Sequence, residues 1–76
     1  MEVDSMLEKG RTYHIITKDG SEVCGTIVKL LTQGGVVLED VFILTELEAQ
    51  LFVKEITLHL NDAAQIFDYD TNERIL

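Results

Sequence analysis

RTYHIITKDGSEVCGTIVKLLTQGGVVLEDV, residues 11–41, is the stretch whose reading decides the fold. Residues 11–17 are rich in β-branched and aromatic side chains and predict a strand. Tyr13, Ile15 and Thr17 fall on one face of it, His14 and Ile16 on the other. Lys18-Asp19-Gly20-Ser21 follows as a hairpin turn, because Asp-Gly between two such runs supplies the backbone geometry a tight hairpin needs. The second strand is expected from Glu22 to about Leu31. Gly25 inside it marks a sharp bend or bulge of the kind small barrels require. Gln33-Gly34-Gly35 is the next turn, and a third strand is expected over Val36–Leu44.

Beyond that stretch the pattern is less uniform. Thr45-Glu46-Leu47-Glu48 is a capping-box pattern, and Leu44, Leu47 and Leu51 have helical spacing. Against a helix, Leu51-Phe52-Val53 is continuous β-type sequence, and Ile56, Leu58 and Leu60 alternate strictly with Thr57 and His59. The preferred reading is a turn at 45–48 and a fourth strand over 49–60, with helix kept as the alternative for 45–56. Asn61-Asp62 turns the chain, and a short fifth strand is expected over Ala64–Tyr69. Residues 70–76 read as a turn and a tail whose apolar Ile75 and Leu76 are available to dock on a neighbour. At the other end, residues 1–10 read as a short helix or a tail. Asp4 or Ser5 would cap the helix, Val3, Met6 and Leu7 would form its buried stripe, and Gly10 would stop it.

Five short antiparallel strands with tight turns predict one mainly β domain over 1–76: helix or tail 1–10, barrel 11–69, tail 70–76. The expected form is a strongly bent small barrel, SH3-like or OB-like. A chain of 76 residues buries only about 60% of the surface it exposes when unfolded, so its core is marginal. One cysteine, Cys24, allows no internal disulfide, and no Cys/His cluster offers a metal staple. Oligomerisation is the remaining way to supplement the core, and 46% hydrophobic residues leave apolar surface for it. Fourteen acidic residues against six basic ones give a formal charge of −8, which opposes non-specific attraction to phosphate or anionic membrane. No apolar run approaches the ~20 residues of a membrane span. A lone thiol and no signal-like start lead to the expectation of a cytoplasmic setting.

The segment Gly10–Val41 resembles the first signature motif of the Sm-like (LSm) family. That motif runs through a glycine, an alternating apolar strand, Lys-Asp-Gly, a further glycine, and an apolar strand leading to Leu-Glu-Asp-Val. Here these are Gly10, Tyr13, Ile15, Lys18-Asp19-Gly20, Gly25, Ile27 and Leu38-Glu39-Asp40-Val41. The second, shorter signature falls on Leu58–Ile66 with poor identity, and the two stretches cover just over half the chain. The resemblance implies an N-terminal helix on a five-stranded bent sheet, and rings in which strand four of one subunit pairs with strand five of the next. Ring closure would satisfy the two edges that an open barrel leaves unpaired.

The resemblance breaks at the ligand site. In the family the turn between strands two and three carries Asp-x-aromatic-x-Asn, and strand four ends in Arg-Gly. Bases stack between the aromatic and the arginine. Here those positions are Leu31, Gln33, Gly35 and His59-Leu60, so the chain is a divergent relative by this pattern, without the usual uridine-pocket residues. Gln33 remains the side chain in this turn able to read a base edge. If RNA binds, the expected surface is Gln33–Gly35 with His59–Asp62, and the candidate residues are Gln33, Gly34, Gly35, His59 and Asn61. For His59 the preferred reading is a surface histidine on a polar strand face, with base stacking as the alternative. Cys24 has no basic neighbour to activate it and reads as a half-buried apolar residue. Gln33-Gly34-Gly35 lacks the lysine and following helix of a phosphate loop. Glu39-Asp40 and Glu46/Glu48 read as a solvated acidic rim, and no nucleophile–base pairing is visible.

The sequence therefore leads to a non-catalytic, ring-forming homo-oligomeric scaffold that needs neither cofactor nor metal. Single-stranded RNA is the ligand the resemblance implies. A protein-interaction ring that has abandoned RNA is the alternative, favoured by the acidic balance and by Leu31 and Gly35.

Overall fold

A computed structural model gives the structure of the protein, with residues 6–76 described. Five strands follow in chain order: β1 Thr12–Thr17, β2 Glu22–Leu30, β3 Gly35–Leu44, β4 Gln50–His59 and β5 Ala63–Asp68. A 3-10 turn, Leu60–Asp62, joins the last two. The strands form one antiparallel sheet in the order β4-β3-β2-β1-β5, so β4 and β5 are its edges. Every expected strand is present, with ends within a residue or so of the expected ones. The helix alternative for 45–56 is set aside, because β4 pairs with β3 from Gly35↔His59 to Leu44↔Gln50.

On β1 the face expected to carry Tyr13, Ile15 and Thr17 is buried at Tyr13 and Ile15 and only partly at Thr17, and Ile56, Leu58 and Leu60 are likewise half-buried. Tyr13 and Ile15, Val23 and Ile27, Val36, Leu38 and Val41, and Ile66 all point inward and are buried. Each such side chain contributes on the order of 1.5–3 kcal/mol by leaving water. The phenol oxygen of buried Tyr13 accepts a hydrogen bond from the Glu8 N–H at 2.9 Å, which ties the segment before β1 to the core. Leu7 completes that core, whereas Met6, expected beside it, is exposed. The first half of the expected helix over 1–10, residues 1–5 with Val3, Asp4 and Ser5, lies outside the described residues. Of the rest, Met6 is in a 3-10 turn and Lys9-Gly10 is a turn. Gly10, expected to stop that helix, takes a φ of +87° within this turn.

The sheet bends where β2 faces β3. The β1–β2 ladder is regular, but the β2–β3 register shifts twice, between Cys24 and Thr26 and between Ile27 and Lys29. At the first shift, a Cβ on Gly25 would lie 3.0 Å from Val41 Cγ2 and 3.2 Å from Leu38 Cβ. Gly25 is thus required by close approach of the two strands. Opposite it, Asp40 adopts a φ of +53°, a left-handed conformation that aspartate tolerates better than most residues. The two devices together re-aim the strands and close the core.

The 3-10 turn fastens the open end. Leu60 N–H donates to Gly34 O at 2.7 Å, and Lys18 N–H donates to Asp62 O at 2.8 Å, so both hairpin turns are tied to the β4–β5 connection. After β5 the chain reverses around Asp68. Arg11 Nε and Nη2 donate to its Oδ2 at 2.8 and 2.7 Å, and the N–H groups of Asp70 and Thr71 donate to Oδ1 at 2.9 and 3.1 Å. Burial by itself would raise this carboxyl, but the bonds from Thr71, Arg11 and Asp70 outweigh it and hold it below the usual carboxylate range. The tail that follows does not project toward a neighbour as expected. Ile75 and Leu76 fold back against their own core.

Candidate nucleic-acid interface

The β2–β3 turn and the end of β4 meet because Gly35 and His59 are paired residues of the β3–β4 ladder. The turn itself is closed by backbone alone: Leu31 N–H donates to Gly35 O at 2.8 Å, and Gly34 holds a φ of +80°. Among the described residues, none hydrogen-bonds to its side chains. Between the two segments lies an open depression of about 310 Å³ lined by Leu31, Thr32, Gln33, Gly35, Thr57 and His59.

Of the five residues expected at this surface, the structure brings Gln33, Gly35 and His59 into the lining. Gly34 sits behind the histidine, whose Cε1 is 3.7 Å from where a Cβ on Gly34 would be, and Gly34 contributes its carbonyl to Leu60. Asn61 acts through its backbone. Its N–H donates to His59 Nδ1 at 3.2 Å, which places the proton of the neutral ring on Nε2, as a donor. Asp62 belongs to a different depression, with Thr17, Lys18, Asp19, Ser21 and Leu58.

Sequence reasoning passed over Thr32, Thr57 and the role of Leu31. Thr57 was legible: two residues from His59 on one strand, it must share its face. Leu31 is matched to Gly35. A Cβ on Gly35 would fall 3.0 Å from Leu31 Cδ1, so the large side chain at 31 occupies room that the missing side chain at 35 leaves. The depression thus offers an apolar patch, two hydroxyls, one primary amide and one imidazole donor. No lysine, arginine or carboxylate lines it. It can hold a flat polar ring by hydrogen bonds and stacking, and it supplies no phosphate neutralisation of its own.

Cys24 lies on the outer face of β2, half-buried. Burial raises its thiol, and Glu22 on the same face adds to the effect, so the reactive thiolate is disfavoured. His14 Nε2 is 2.8 Å from Glu22 Oε1 on that face.

The fold matches solved structures. A Pyrococcus abyssii Sm protein in complex with a uridine heptamer superposes with a TM-score of 0.65 and 21% identity, over 76% of this chain and 82% of that one. This chain has an Sm fold. A heptameric archaeal Sm protein matches with a TM-score of 0.65 and 14% identity, over 78% of this chain and 85% of that one. A chain of the NatC complex bound to CoA gives 0.66 and 14%, over 76% and 74%. No protein-family model and no curated protein matches the sequence. Among the described residues of this Sm-fold chain, no helix is long and apolar enough to cross a membrane.

Proposed function

We propose that this Sm-fold chain is a non-catalytic binding scaffold that assembles into a homo-oligomeric ring, with β4 of one subunit pairing with β5 of the next. We infer further that the depression between the β2–β3 turn and the end of β4 receives a base of single-stranded RNA, in a cytoplasmic setting. The observation that carries this reading is the convergence of the Gln33 turn with His59, whose Nδ1 is held by Asn61 so that Nε2 is left to donate. The similar Pyrococcus abyssii Sm protein was solved with a uridine heptamer, and another similar archaeal Sm protein is heptameric. With a formal charge of −8 per subunit, RNA binding here must rest on base contacts and be weak. Light scattering tests the ring, and a monomer at all concentrations would remove it. Anisotropy of labelled oligo-U and oligo-A at low salt tests the ligand, and no change with a concentrated ring would remove RNA.

A second reading, a ring that binds protein and not RNA, is favoured by one surface. Phe67, His14, Cys24, Phe42 and Phe52 are paired in one row across all five strands, on the outer face. His14 and Phe67 are 6.2 Å apart, and Phe42 meets Phe52 edge-on at 5.5 Å. Phe52 is 78% exposed. Such a row is a surface for a partner chain, and the similar chain in the NatC complex belongs to a protein assembly.

A further inference from the structure

β5 is an edge of the sheet, yet its outer row of backbone groups is already taken. One side of β5 pairs with β1, His14 opposite Phe67 and Ile15 opposite Ile66. On the other side Ile66 N–H donates to Leu76 O at 3.1 Å, and Ile66 O accepts from the N–H groups of Ile75 at 2.7 Å and Leu76 at 3.2 Å. Asp68 N–H donates to Glu73 O at 2.8 Å, and Asp68 O accepts from Asn72 N–H at 2.8 Å. Phe67 and Arg74 are bridge partners across this short ladder. Ile75 and Leu76 add apolar contact with the core. The segment 73–76 is therefore a short strap along this edge, held by a single bridge and the bonds beside it, and the Arg11–Asp68 pair with the Asp68 turn holds the reversal that brings it back.

The opposite edge shows nothing comparable among the described residues. β4 keeps its outer side open, with Leu51 and Phe52 exposed along it. Pairing of β4 with its own copy is disfavoured at mid-strand. A two-fold antiparallel pair sets one residue opposite itself, and Lys54 or Glu55 at that centre would face its own charge.

We propose that the outer edge of β5 is an exchange site, occupied in the free protomer by the chain's own segment Glu73–Leu76 and, on assembly, by β4 of a second copy. This rests on the ring reading above. Both occupants need the same Ile66 and Asp68 backbone groups, so they exclude each other. The strap holds its seat through high effective concentration, and β4 displaces it through its greater length and apolar side chains. Assembly is then a competition, and the strap sets the protomer concentration at which rings form.

The test uses the full chain with a reversible lock. Phe67 and Arg74 form a non-hydrogen-bonded antiparallel pair, the close spacing that suits a disulfide. Phe67→Cys with Arg74→Cys, in a Cys24→Ser background, is examined oxidised and reduced by light scattering against concentration. Deletion of residues 73–76 is examined beside it. The oxidised protein is expected to stay monomeric and the reduced protein to assemble. The deletion is expected to lower the midpoint concentration about tenfold or more, a difference worth about 1.4 kcal/mol per tenfold. Rings formed equally by the oxidised protein would overturn the exchange and leave the ring reading standing. So would an unchanged midpoint on deletion. If the wild-type, reduced and deleted forms all remain monomers, the ring reading has failed and the exchange site falls with it.

Discussion

β2 is shared by two hairpins that are built on opposite principles. The β1–β2 hairpin has an unbroken register, and its turn consumes its own polar side chains. Thr17 hydroxyl donates to the Asp19 carboxylate, Ser21 N–H donates to the same carboxylate at 3.0 Å, and Thr17 N–H donates to Ser21 O at 2.9 Å. The β2–β3 hairpin is interrupted twice, bends at Gly25 and Asp40, and closes its turn with backbone bonds alone. Side chains that satisfy one another have nothing left for a ligand. Those of the second turn, Thr32 and Gln33, are uncommitted and stand beside His59. The first hairpin is scaffold, and the second both shapes the barrel and carries the candidate site.

The largest effect that would sharpen this contrast is at the bend. Gly25→Ala places a methyl 3.0 Å from Val41 Cγ2, 3.2 Å from Leu38 Cβ and 3.4 Å from Glu39 O, so the two strands must move apart by a few tenths of an ångström, and it is expected to cost about 1–3 kcal/mol in chemical denaturation. Cys24→Val, one residue away on the regular face toward β1, should stay within about 0.5 kcal/mol. Equal costs at the two positions would mean that the bend is not held at Gly25.

Next comes the turn. Because Leu31 fills the space beside Gly35, the two must change together. Leu31→Asp with Gln33→Tyr and Gly35→Asn is expected to raise oligo-U affinity by about tenfold, roughly 1.4 kcal/mol, read by anisotropy. Gly35→Asn alone should fold less stably than the triple variant, since Leu31 then has to move. A triple variant that binds no better would show that the strand-four side of the site, His59 in place of the family's arginine, limits affinity. Smaller still, Gln33→Ala should leave stability within about 0.5 kcal/mol, because no bond of the turn uses that side chain, while weakening any base binding.

Most of this frame was legible from period-two alternation and from Asp19-Gly20 and Gln33-Gly34-Gly35. What was not legible follows a physical pattern. Thr45-x-x-Glu48 reads as a helix start because a threonine hydroxyl satisfies free N–H groups, and here the same chemistry closes a hairpin. Thr45 Oγ1 accepts from Ala49 N–H at 3.1 Å, and Glu48 sits at a φ of +63°. Asp40 gives no local sign that it turns left-handed, since the conformation is imposed by the bulge across from Gly25. The fold-back of Glu73–Leu76 depends on a vacant edge at Ile66 and Asp68, a long-range condition that no short window contains. At the site, Gln33 and His59 were reachable from the turn pattern and the resemblance. The match of Leu31 to Gly35 is a matter of packed volume between two residues of the folded turn, which their identities alone do not convey.

The finest separation of the two hairpins is by pH. The first turn contains a titrating group at its centre, and the second contains none between Leu31 and Gly35. The Asp19 carboxyl is held below its ordinary range, first by the Thr17 hydroxyl and then by the Ser21 N–H. A carboxyl whose folded value is depressed contributes stability that is fully present above its unfolded value, near 3.9, and is lost as pH falls through the folded value. Amide exchange or proton chemical shifts at Ser21 and Gly20 should therefore begin to change only below about pH 4, where ordinary exposed carboxylates are already titrating. Gly34 and Gly35 should show no matching step. Asp19→Asn keeps an acceptor for the same donors but removes the titration, so the Ser21 response should flatten while the hairpin stays closed. A step of equal size at Gly34 would mean that the two turns are coupled through the 3-10 turn, where Lys18 N–H meets Asp62 O and Leu60 N–H meets Gly34 O. The candidate site would then sense protonation at the far end of β2 and would not be the independent element its backbone-only closure implies.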